Sequence, residues 1–440
     1  MLRLVHWSLF ALLVSLPLAT RAQTAWVDVH VAEQALEDFR VVCEKDAGHL
    51  WGASLCGPVM LVDQTAHVLV ANAHAGAPDL SGLFVTVWPA SENVSATAIE
   101  WAGLWWAQVP LPLPSNVEAR RVSLVHESFH RLANSQKWPG FGGMTGVGNG
   151  HLDTLEGRYF ILLEWRALAR ALESQGASRR SAIEDALAFR GARRERFASA
   201  TVDESAGEWA EGLAEYTGVK LAADDAEGQR ALAKADIETG AQRESFVRAF
   251  PYAAGPAYGL LLDEAGAEWR DKARGGADLG VLLASAVSLA PPRATPGEIA
   301  RRAKAYGGPA IRAMEEERER LAKKRIADLR QKLVVGPVLI LPLEKPRIQL
   351  NPGTLVPMAD LGTVYPTARL AAQWGAITVT KDLLLAGDWK QATVAAPSEG
   401  AGQTWRGDGW TLELKEGWSL GEGPRPRDRR VVLDARTSPQ

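Results

Sequence analysis

Cysteine is almost absent: two in 440 residues, too few for a disulfide scaffold. Histidine runs out early, since all eight lie at or before position 151. A histidine-based site must therefore be assembled from the first third of the chain. No apolar run reaches the roughly 20 residues that cross a bilayer, so no membrane span is expected in the mature chain. An excess of positive charge is missing too. Lys and Arg number 49 against 52 Asp and Glu, for a net charge of −3. A face basic enough to hold phosphates would show in that sum, so nucleic acid is not an expected partner. With 47% apolar and 23% charged residues, disordered and collagen-like chains are excluded. What remains is a globular chain with room for two or three cores.

Residues 1–22 read as a cleavable secretory signal. Arg3 supplies the positive start, Leu9 to Leu18 form a short apolar stretch, and Thr20-Arg21-Ala22 puts small residues before a cut at Gln23. Export, to a periplasm or the exterior, would place Cys43 and Cys56 in an oxidising space, where they are expected to bridge. Asn93-Val94-Ser95 is a glycosylation sequon if the host has that machinery.

The chain is predicted to be α+β and multidomain. Residues 23–114 form a β-rich N-terminal domain, with strand-like runs at Val59–Val62, His67–Ala71, Leu83–Trp88 and Trp101–Val109. A mostly helical domain follows over 115–334. Its first helix opens on a capping box of Ser115 with Glu118, and a second opens on Asp153 with Glu156. That second helix is predicted over 155–172, and further helices at 180–199, 203–223, 242–250, 255–265 and 296–333. Residues 335–440 form a C-terminal β domain. The glycine-rich stretch 140–150 lacks the Gly-Lys-Ser/Thr ending of a phosphate cradle, and no Gly-x-Ser-x-Gly elbow occurs.

The chemistry concentrates in His126-Glu127-Ser128-Phe129-His130. Histidines four apart project from one helix face, so both can meet one zinc ion, and Glu127 can act beside it as the general base. A catalytic zinc normally has three protein ligands. The third histidine of a metzincin is replaced by Gln136, which leaves His151 or a carboxylate.

The segment Glu208-Trp209-Ala210-Glu211-Gly212-Leu213-Ala214-Glu215-Tyr216 resembles the second zinc helix of the gluzincins, the zinc peptidases typified by thermolysin and the aminopeptidase N-like enzymes. The resemblance implies Glu211 as the third ligand, with Glu208 as a substitute, and a helical catalytic domain between the two β-rich ones. Ala210 stands where the family has asparagine. Glu215, one turn on, is placed to accept the outer N–H of a ligand histidine. Pro251-Tyr252-Ala253-Ala254-Gly255 is similar to the Tyr-x-x-Gly segment of the aminopeptidase N-like enzymes, which implies Tyr252 as donor to an oxyanion; Tyr216 and Tyr258 compete for that role. The family's amine-binding Gly-Ala-Met-Glu-Asn strand has no counterpart before Ser115, so aminopeptidase specificity is not implied.

The expected protein is a secreted zinc metallopeptidase with one zinc per chain and a peptide or protein substrate. The alternatives are a metalloprotease-like binding or assembly protein with little turnover, and metal-assisted hydrolysis of a non-peptide amide or ester.

Overall fold

The computed structural model describes residues 29–74, 82–89, 92, 94–139, 148–290, 295–350 and 355–434. The signal, Asn93 of the sequon and most of the glycine-rich stretch lie outside them. The chain divides into two compact units, one ending at Ile311 and one beginning at Arg312. The expected border at 114/115 falls inside the first unit, and the other division comes earlier than 334/335.

The first unit opens on a helix, α1 (Val29–Asp46), in a segment expected to be β-rich. Its buried residues Ala32, Ala35, Leu36, Phe39, Val42 and Cys43 follow a spacing of three and four, a helical stripe in a run whose small alanines make it inconspicuous. The strands β1 (Val59–Asp63), β2 (Val68–Ala71), β3 (Phe84–Val87), β4 (Thr97–Trp101) and β5 (Leu104–Pro110) then pair in the order β3-β2-β1-β5-β4, antiparallel except for the central β1/β5 pair. The central position explains the unbroken apolar run of β1. Val59 and Leu61 face the helices, while Met60 and Val62 face a second core with Trp88 and Trp106. One face of the N-terminal sheet thus shares a core with the helices, while its other face packs on a smaller core of its own.

Cys43 and Cys56 form the expected disulfide, tying α1 to the loop that leads into β1. On the chain-entropy view, closing a loop of this size stabilises by about 3 kcal/mol. Replacing both cysteines by serine should lower the thermal midpoint by several degrees, and reductant should do the same to the wild type but not to the variant. A wild-type midpoint indifferent to reductant would contradict this.

Next comes α2 (Val117–Ser135), whose cap is Asn116, accepting the Ala119 N–H at 2.8 Å, instead of the predicted Ser115. α3 (Leu155–Glu173) is capped by Thr154, because Asp153 is occupied accepting from Ser245 Oγ and the Phe246 N–H. α4 (Gly176–Arg194) and α5 (Ala200–Gly207) lead into a single π turn at Glu208–Gly212, continued by α6 (Leu213–Ala222). α7 (Ala226–Ala241) is a helix that periodicity missed, since its buried stripe is only Ala233, Ile237 and Gly240. The helix predicted over 242–250 is instead irregular up to α8 (Phe250–Glu264), which begins with Pro251 in its first turn. Proline fits there because it lacks the N–H that a first turn cannot use. α9 (Arg270–Arg274), α10 (Leu279–Ala286) and α11 (Pro296–Lys304) complete this unit, and α12 (Gly308–Arg330) contains the division.

The second unit is a β-sandwich. Its strands are β6 (Val338–Pro342), β7 (Arg347–Leu350), β8 (Val356–Pro357), β9 (Thr363–Tyr365), β10 (Ala368–Ala372), β11 (Gly375–Val379), β12 (Leu383–Leu385), β13 (Gln391–Ala395), β14 (Glu399–Ala401), β15 (Thr404–Gly407), β16 (Trp410–Leu414), β17 (Trp418–Glu422) and β18 (Arg429–Leu433). They form sheets of order β14-β15-β16-β11-β10-β7 and β17-β18-β6-β13-β12-β9-β8. Leu370, Ile377 and Leu412 of one sheet and Leu341, Leu383 and Val394 of the other share one core. The molecule is thus mixed α/β, and among the described residues no helix is long and apolar enough to cross a membrane.

Candidate metal centre

Both histidines of the first motif lie on α2, which is locked by the buried side chains of Leu124, Val125, Phe129 and Leu132. Trp51 packs on Phe129 with ring centroids 5.2 Å apart, and its Nε1 donates to Thr217 of α6. α6 crosses α2 closely because Gly218 has no side chain: a Cβ there would sit 2.8 Å from the Val122 carbonyl oxygen. This approach brings Glu215 Oε2 to 2.6 Å from His126 Nδ1. In the neutral ring, a proton held on Nδ1 by this carboxylate would leave the Nε2 lone pair for a metal ion.

Glu211 sits in the π turn, where the Leu213 N–H reaches back five residues to the Glu208 carbonyl. π turns of this kind recur at functional sites. α8 crosses here glycine against glycine, since a Cβ on Gly255 would come within 2.3 Å of the Gly212 backbone. Glu211 Oε2 lies 3.3 Å from the Nε2 of each histidine, and the two Nε2 atoms are 3.1 Å apart. Zinc bonds of about 2.0–2.1 Å in a tetrahedron require ligand atoms about 3.3 Å apart. The three donors therefore have the chemistry and the spacing of a zinc site, and they are the group among the described residues that could hold a metal ion.

Glu127 is buried beside this triangle, and its Oε2 has no hydrogen-bond partner. Burial raises its pKa above the usual carboxylate value; His126 and His130 oppose that rise, while Glu211 and Glu215 add to it. His126 is desolvated by burial, but Glu211, Glu215 and Glu127 together raise its pKa well above the ordinary value. Burial also acts against the charge on Glu211, and the two histidines outweigh it and lower its pKa. Such a concentration of mutually perturbed groups is characteristic of functional sites.

Tyr252 donates to Glu211 Oε2 at 2.7 Å, and its ring lies parallel to that of His126, 5.4 Å away. Burial and the neighbouring carboxylate raise its pKa, so the hydroxyl stays a donor. The competing tyrosines are engaged elsewhere: Tyr258 donates to Glu164, and Tyr216 to Asp263. The alternative ligands are also accounted for. Glu208 accepts two bonds from Arg190, at 2.6 and 2.7 Å, and His151 Nε2 lies 2.8 Å from Glu204.

Sequence reasoning missed the charges behind the centre. Arg190, Arg193 and Arg194 of α4 are enclosed by Glu164, Glu204, Glu208 and Asp278. Those acids are distant in sequence, so no local pattern joins them to the arginines. Asp236, beside Glu215, was missed as well; burial and the Glu215 charge, opposed by His126, push its pKa up to about 8. No protein-family model, curated protein or solved structure matches this chain, and the reading of the centre rests on its own residues.

Proposed function

We propose that the protein is a zinc metallopeptidase of gluzincin type, exported from the cytoplasm, with a peptide or protein substrate. The observation that carries this reading is the triangle of two imidazole nitrogens and one carboxylate oxygen at 3.1–3.3 Å, with the buried Glu127 beside it, whose Oε2 has no hydrogen-bond partner. Zinc held there by His126, His130 and Glu211 supplies Lewis acidity, which acidifies water and polarises a carbonyl. Glu127 takes a proton from the attacking water and returns it to the amine as the C–N bond breaks. Glu215 keeps His126 in the tautomer that frees Nε2. Tyr252 offers its hydroxyl to the negative charge that develops on the carbonyl oxygen. The Cys43–Cys56 disulfide agrees with an oxidising compartment.

The test is incubation of the purified protein with a mixed peptide library, with and without a zinc chelator. Cleavage that the chelator abolishes and added zinc restores is the expected result. Absence of chelator-sensitive cleavage under all conditions would contradict the proposal and favour a binding or assembly role.

A further inference from the structure

The π turn places two carboxylates, three residues apart, in different surroundings. Glu208 points into the buried charge cluster and Glu211 toward His126 and His130. In a regular α-helix such a pair projects about 60° apart around the axis, and the wider π turn spreads it further. If the turn relaxed to α-helix, Glu211 and Glu215 would rotate together relative to Glu208. They could then not face the histidines while Glu208 stayed on its partner.

A π turn is rarely favoured on its own and must be held from outside. Its entry is held by Glu208 and Trp209. Both Glu208 oxygens accept from the Arg190 guanidinium, whose fork suits a carboxylate, and Trp209 Nε1 donates to the Ala277 carbonyl at 3.1 Å. Its exit is held by the contact of Gly212 with Gly255. Arg190 is itself fixed, with Asp278 at 2.8 Å and Glu164 at 3.3 Å, and Asp278 also caps α10 by accepting the Val281 N–H. Glu211 lies between the two fixed ends.

We propose that Arg190 is a positioning residue for the metal centre: by clamping Glu208 it holds the π turn that aims Glu211 at the two histidines. The inference rests on the zinc reading above. Charge balance makes it testable. Three arginines face four carboxylates in the cluster, so removing either Glu208 or Glu204 leaves three against three. Glu204 is the matched control, equally buried but on α5, outside the turn.

The experiment measures the zinc dissociation constant of the full chain by chelator competition, and the thermal midpoint of the zinc-free protein, for wild type, Glu208→Leu, Glu204→Gln and Glu211→Ala. Glu208→Leu should raise the dissociation constant about 10–100-fold, the range seen when a ligand's support is lost. Glu204→Gln should lower the midpoint yet keep the constant within about twofold of wild type. If Glu208→Leu does not fold, Glu208→Gln, which preserves shape, is judged by the same criterion. An unchanged constant in the Glu208 variant would overturn the proposal, as would an equal rise in both. Failure of the zinc reading looks different: wild type and Glu211→Ala would then bind zinc equally poorly, and both inferences would fall.

Discussion

Glu127→Gln should lower peptide hydrolysis by about 10²–10⁴-fold, the usual contribution of a general acid–base group, while leaving zinc in place. Glu127 is not one of the three converging donors, so its loss removes no ligand atom. Glutamine keeps the volume of a side chain that is 6% exposed, and the helix around it is held by Leu124, Val125 and Phe129. The amide cannot take a proton at neutral pH, whereas the carboxylate can take one and give it back. Its unpartnered Oε2 is free for that task. Turnover and zinc content are measured on the same preparation. Full activity in Glu127→Gln would sink the mechanism, and loss of zinc would show Glu127 to be structural.

Gly255→Ala is expected to destabilise the protein by about 1–3 kcal/mol, the typical cost of overpacking. The new methyl would lie 2.3–2.5 Å from the backbone of Gly212, and no side-chain rotation can relieve a clash with backbone. α8 would have to withdraw, carrying Tyr252 away from Glu211, so zinc binding should weaken as well. A Cβ on Gly259, four residues on along the same face, would meet the Tyr216 ring just as closely. Gly297→Ala in α11 is the contrast, because a Cβ there meets nothing within 4 Å, and no loss is expected. Thermal denaturation of both variants checks this, and a Gly255→Ala protein as stable as Gly297→Ala would contradict the packing described.

β1 was legible because it is buried on both faces and reads as a continuous apolar run, whereas β4 (Thr97–Trp101) was missed and the single strand expected over 101–109 is the end of β4, a turn and β5. The helix that carries the candidate site was legible because His126 and His130 share a face by spacing alone, and Glu211 stood out through the residues around it. Other features depend on partners far along the chain. α1 and α7 present alanine-rich stripes that gain meaning only against their neighbours. The cap of α3 moved to Thr154 once Asp153 bonded to residues 245 and 246. The arginines of α4 became core residues through Glu164, Glu204, Glu208 and Asp278. Local pattern cannot announce such pairings, nor the glycine contacts that let three helices approach closely enough to form the centre.

The most direct test of the central claim is zinc content and affinity of the purified protein beside Glu211→Ala. One zinc per chain, lost or weakened by orders of magnitude in the variant, is the expected result. A wild-type protein that takes up no zinc when supplied with it, or a Glu211→Ala variant that binds zinc as wild type does, would contradict the three-ligand centre.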